Sequence, residues 1–197
     1  MKNLVFVLML FLFYTSLYSL EKLENISTKS AVIFNTLCSK CHEGECSGRL
    51  SFDTGSKAAS SHIKRYSNSK NISKDEIKEF FTLLNYMKKE CLLYMPEDKT
   101  YKTESLSFFS IDSHKKYFIP LGFLKRGNYT LKVKSKEDIH FRVEIISNEF
   151  NSFLDDSFCP SVKGKLFDFS IDEDKKYYLR IQSKKPLHLN ILKIKKK

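Results

Sequence analysis

A chain of 197 residues has room for one ordinary domain or two small ones. Its formal net charge of +11 points to acidic partners or anionic surfaces. The lysines are scattered rather than gathered on one predicted helix, which argues against nucleic acid. No Ser-His-Asp arrangement, phosphate-binding loop or pair of glycosidase carboxylates can be built from the sequence, so no enzyme activity is expected.

Residues 1–19 read as a secretory signal: Lys2 supplies a positive start, residues 4–13 contain no polar side chain, and Thr15, Ser16 and Ser19 follow. Cleavage is expected after Ser19, although Leu17 stands where a small residue is usual. An uncleaved anchor is the alternative, and it would be the only membrane contact. Either way the protein is expected to be periplasmic or otherwise exported.

From residue 20 to 97 the pattern is helical. Val32, Ile33 and Leu37 share a helix face that leads into Cys38. A stretch rich in Gly, Ser and Asp follows over 43–61. Ser73 with Glu76 three positions on makes a capping box. The helix it opens carries Ile77, Phe80, Phe81, Leu84 and Met87 on one face and is expected to stop ahead of Pro96. Residues 98–104 read as a linker.

Over 105–197 the period changes to two. Tyr129, Leu131 and Val133 alternate with polar residues, as do Phe141, Val143 and Ile145, then Phe167, Phe169 and Ile171, then Tyr177, Leu179 and Ile181. Seven or eight such strands predict an all-β sandwich. Phe109-Ser110-Ile111-Asp112 with Lys115-Lys116-Tyr117 recurs 60 residues later as Phe169-Ser170-Ile171-Asp172 with Lys175-Lys176-Tyr177. Each copy predicts a strand, a tight turn and a returning strand.

Chemistry is concentrated in Cys38-Ser39-Lys40-Cys41-His42. A C-x-x-C-H run is the attachment signature of c-type haem. Two thiols three positions apart can add to the two vinyl groups of one haem edge, and the adjacent imidazole can become the proximal iron ligand. The expected cofactor is one covalent haem c, with Cys38, Cys41 and His42 binding it and His42 on the iron. Zinc is the chief rival, since Cys38, Cys41, His42, Cys46 and Cys91 supply enough thiolate and imidazole for a tetrahedral site. A plain disulfide framework or a redox dithiol is the third reading. Two thioethers would leave Cys46, Cys91 and Cys159. A Cys46–Cys91 disulfide is the expected pairing, with Cys91–Cys159 as the runner-up.

Residues 29–96 resemble the small class I cytochrome c domain: residues 34–38 look like its first helix entering the haem motif, and residues 72–86 like its closing helix. The resemblance implies two domains, an N-terminal all-α cytochrome c-like haem domain and a C-terminal all-β sandwich. A domain so short is marginal by its own apolar core, and a buried macrocycle would complete it. The family's methionine ligand has no counterpart in the loop before the closing helix. His62 occupies that stretch and would be the second metal ligand; Met95, beside Pro96, or an open position are the alternatives, and Met87 is expected to pack against the ring edge.

His114, His140 and His188 are expected at exposed positions, and Asp155-Asp156 carries no calcium-loop spacing. Residues 125–133 resemble one strand of the sandwiches appended to secreted bacterial proteins, such as pre-peptidase C-terminal domains, which would imply docking rather than catalysis. The leading expectation is an exported monohaem electron carrier meeting redox partner proteins, acidic ones favoured by its charge. The alternatives are a haem-based small-ligand binder or accessory subunit, and a structural or adhesion protein with a zinc- or disulfide-stapled N-terminal part.

Overall fold

The computed structural model of the chain describes residues 23, 25–42, 56–66, 72–96, 103–159 and 164–197. Two strands decide the architecture. In β2 (Lys116–Leu124) every residue from Tyr117 to Leu121 is buried, and in β7 (Lys175–Ser183) every residue from Tyr177 to Ile181 is buried. Successive side chains of a strand point to opposite faces, so an unbroken buried run requires cover on both sides of the sheet. By contrast β3 (Gly127–Ser135) and β6 (Lys165–Ile171) alternate buried with partly or fully exposed positions and have cover on one side.

Among the described residues, eight strands form two antiparallel sheets. The five-stranded sheet runs β1-β2-β7-β4-β5 and the three-stranded sheet runs β6-β3-β8. The remaining strands are β1 (Ser110–Ile111), β4 (Phe141–Ser147), β5 (Ser152–Phe158) and β8 (Leu189–Lys196). Across the larger sheet, Ile119 pairs with Leu179 and Leu179 with Ile145, while Tyr117 pairs with Ile181 and Ile181 with Val143. These rows point toward the smaller sheet, as the rings of Phe158 and Phe167 show by meeting at 4.8 Å. The β-sandwich expected from the alternation is present. Pro120 lacks an N–H, and the ladder shifts register between it and Gly122, whose φ of 84° suits glycine.

The opposite face of the larger sheet carries Phe118, Arg180, Glu144 and Asp155 in one row and Pro120, Tyr178 and Ile146 in the next. A helical cap covers it. Helix α1 (Thr28–Ile33) starts at Ser27, whose hydroxyl accepts from the Ser30 N–H. It runs through a π-helical turn (Phe34–Cys38) into the short α2 (Ser39–His42). Helices α3 (Ser56–Tyr66) and α4 (Lys74–Glu90) complete the cap. The Ser73–Glu76 capping box opens α4 as its sequence predicts, and Cys91 closes it in the left-handed region at φ 54°.

Cap and sandwich share one hydrophobic core, continuous from Val32, Phe80 and Met87 to Phe118 and Tyr178. The N–H of Leu93 donates to the carbonyl of Asn148 between β4 and β5 at 2.8 Å. Within the cap, Asn35 donates to the carbonyl of Tyr94 at 2.7 Å and the Tyr94 hydroxyl to the carbonyl of Leu23 at 2.9 Å.

This architecture corrects the expectation of a separate all-α haem domain beside a sandwich, and with it the class I cytochrome c resemblance. The helices form no core of their own. They are the outer layer of a mostly β structure, because the central strands β2 and β7 are buried on both faces and must be covered. Among the described residues, no group of three or more His, Cys, Asp and Glu side chains is gathered to hold a metal. The repeat is also only half equivalent in space. Its first copy forms the hairpin β1–β2, whereas β6 and β7 of the second copy lie in different sheets and make a corner.

Candidate functional site: the Cys38–Cys41 edge of the helical cap

Cys38 ends the π-helical turn and Cys41 lies in the helical turn that follows, so the two thiols stand three positions apart along one helical edge. The N–H of Ser39 reaches back to the carbonyl of Phe34, five residues earlier, which is the wide turn that a π-bulge makes. Such turns are frequent at functional sites. Cys38 is half-buried and Cys41 exposed. Burial, and then the nearby charge of Cys41, push the Cys38 thiol up to about 11. His42 is the last residue of the same helix.

Between the thiols, Ser39 is fully buried and ties the motif to the sandwich. Its hydroxyl donates to the carbonyl of Asn35 at 2.7 Å and accepts from Arg180 Nη2 at 3.1 Å. Arg180 is itself buried, 3.5 Å from the carboxylate of Glu144, with its guanidinium over the Phe118 ring at 5.9 Å. One strand further, Asp155 accepts from Arg142 Nε at 2.6 Å and also from Arg142 Nη2. That pair holds the Asp155 carboxyl below its ordinary range, and the charge of Lys40 adds to the effect. A row of charges on β7, β4 and β5 therefore lies under the motif.

The other sequence-predicted residues are not drawn into this site. His62 is on the exposed side of α3, its ring 4.7 Å from that of Tyr66. Met87 and Met95 are buried in the common core. Cys46 lies outside the described residues, and with it the expected Cys46–Cys91 bridge. The alternative Cys91–Cys159 bridge is not formed, since Cys159 is an exposed thiol. Of the sandwich histidines, His140 and His188 are exposed as expected. His114 is half-buried: its Nδ1 is 2.8 Å from the Ser110 hydroxyl and its ring 4.8 Å from that of His188.

Arg180 and Glu144 went unnoticed in the sequence because a period of two assigns both to a solvent face. The signal that could have found them is the unbroken apolar run from Tyr117 to Leu121, which implies a covered outer face on the neighbouring strands.

The donor set fits covalent haem: two thiols on one helical edge, an imidazole at the next position, and a seat fixed by Ser39.

Among the described residues no helix is long and apolar enough to cross a membrane. The predicted signal lies outside them. No family model matches the chain, and no curated protein matches it. A solved structure described as "CBM4 structure and function" is similar over 42% of this chain and 73% of its own, at 13% identity and a TM-score of 0.32.

Proposed function

We propose that this is an exported, non-catalytic β-sandwich protein whose helical cap carries one covalent haem on Cys38, Cys41 and His42, and that it acts as a small-ligand binder or accessory subunit. The observation that carries the reading is the seating of the C-x-x-C-H edge on the sandwich through Ser39 and Arg180. A cofactor site built into the outer layer of a β-sandwich suits a subunit that presents its cofactor to something docked beside it. When bound, haem supplies an iron that changes oxidation state and can take an axial ligand. Cys38 and Cys41 would hold the ring edge, His42 would take the iron, and the Ser39–Arg180 contact would fix the helix that bears them.

The exposure of Cys41 favours a second reading, electron carriage. It puts the attachment edge at the surface, where a redox partner, acidic by charge complementarity, could approach.

An absorption spectrum of protein produced with haem-maturation machinery, with a denaturing gel stained for haem, tests the cofactor. A Soret band, and stain that survives denaturation in the parent but is lost in a Cys38→Ser, Cys41→Ser double variant, is expected. Carbon monoxide binding to the reduced protein without denaturation would mark the ligand-binding form, and its absence the carrier. A colourless protein would overturn both and leave the zinc- or disulfide-stapled structural reading.

A further inference from the structure

The outer face of the three-stranded sheet carries an unusual arrangement of charge. Register places Lys132 directly opposite Lys193, and Thr130 opposite Lys195. Lys134 is two positions beyond Lys132 on the same face, and Lys193 and Lys195 are exposed. Like charges directly opposed across a ladder are destabilising. Some lysines elsewhere are paired, Lys29 with Glu76, Lys78 with Asp75, Lys165 with Asp156, and Lys175 with Glu149 and Glu173. Lys132, Lys134, Lys193 and Lys195 have no ion pair among the described residues. The one carboxylate on this face, Asp168, is engaged by Thr130 at 2.6 Å and by Lys197 at 2.8 Å.

An apolar side chain borders this lysine field on the edge strand β6. Leu166 is opposite Lys132 in the register with β6, completing a Leu166–Lys132–Lys193 row, and is 62% exposed. Lysine is depleted at protein–protein interfaces, which makes a protein a poor fit. A soluble polyanion would satisfy the lysines but gain nothing from Leu166. The boundary between head groups and acyl chains takes both, with ammonium groups on phosphates and the leucine dipping below them.

We propose that this face docks the protein onto a membrane surface through anionic phospholipid head groups. The signal segment is then not the sole route to a membrane. The proposal is independent of the haem reading, because the face belongs to β3, β6 and β8 and the Cys38–Cys41 edge lies beyond the other sheet.

Co-sedimentation of protein recovered from the exported fraction tests it, using vesicles of phosphatidylcholine with and without 30 mol% phosphatidylglycerol. Binding is expected only to the anionic vesicles and is expected to fall as salt rises. Lys132→Gln, Lys193→Gln and Lys195→Gln are each expected to weaken it about fivefold, and the triple variant about a hundredfold. Neutralising these charges relieves repulsion, so an unchanged or higher melting temperature confirms that the triple variant is folded. Leu166→Ser is expected to weaken vesicle binding while leaving binding to soluble polyglutamate untouched. Equal binding to both vesicle types, full binding by the folded triple variant, or capture by polyglutamate without capture by anionic vesicles would each overturn the proposal.

Discussion

Arg180 of β7 donates to the hydroxyl of Ser39 at 3.1 Å, joining a strand near the end of the chain to the middle of the C-x-x-C-H motif. Both side chains are buried, Arg180 being 4% exposed and Ser39 0%. A buried guanidinium is costly unless charge and hydrogen bonds compensate it, and here Glu144, Ser39 and the Phe118 ring share that role. The contact therefore specifies position: if the motif helix moved along the sheet, the arginine would lose one of its hydrogen bonds.

Truncating this arginine should be expensive. Arg180→Met leaves the Glu144 carboxylate without its close cation and is expected to cost about 3 kcal/mol in a denaturant titration. Ser39→Ala should cost about 1–2 kcal/mol, and the double variant less than the sum, because one bond is removed twice. Strict additivity would show that the two side chains do not cooperate.

Phe118 offers a direct check on the layering. If the helices were a separate domain, its ring would face solvent; instead it is 0% exposed and lies 5.0 Å from the Tyr178 ring under the cap. Phe118→Ala is expected to destabilise by about 3–5 kcal/mol, as much as truncation in the inner layer. Helical and tyrosine signals should melt together in one transition. Two separated transitions, with Phe118→Ala moving neither, would sink the shared core.

Much of the sandwich was legible because its three-stranded sheet obeys a simple rule. Tyr129, Leu131 and Val133 alternate with polar residues, and so they lie in the structure. The helix from Lys74 was legible for the same kind of reason, a capping box followed by an apolar stripe. The outer face of β2 and β7 was harder to read. Phe118 and Tyr178 interrupt the alternation and make an apolar run, but Arg180 on the same face reads as a solvent residue when taken alone. Whether helices beside a sandwich cover it or stand apart depends on contacts between residues as distant as Ser39 and Arg180, which local periodicity does not encode. The cysteine motif itself was legible by spacing, while its seat was not.

Glu76 links the cap to pH. The Lys29 ammonium at 2.7 Å and the Ser73 backbone N–H at 2.9 Å hold its carboxyl below the ordinary range. A depressed carboxylate adds stability above its unfolded pKa of about 4.3 and loses it as pH falls through the lower folded value. Stability is therefore expected to decline below about pH 4.5, and Glu76→Gln should flatten part of that decline while lowering stability at neutral pH. An unchanged acid limb in the variant would remove Glu76 from the account.

The thiols should differ sharply in protein made without haem. At pH 8 a thiol raised to about 11 is ionised in roughly one molecule per thousand, against about a quarter for an ordinary cysteine near 8.5. Iodoacetamide is therefore expected to label the exposed Cys41 and Cys159 first, with native Cys38 a few hundredfold slower than an ordinary thiol. Unfolding in denaturant should abolish the difference, because burial is its main cause. Peptide mass spectrometry over a time course reads all three sites at once. Equal labelling of Cys38 and Cys41 in the folded protein would mean that the motif edge is open to solvent on both thiols, and the Ser39–Arg180 seat would then have no protective effect on its neighbour.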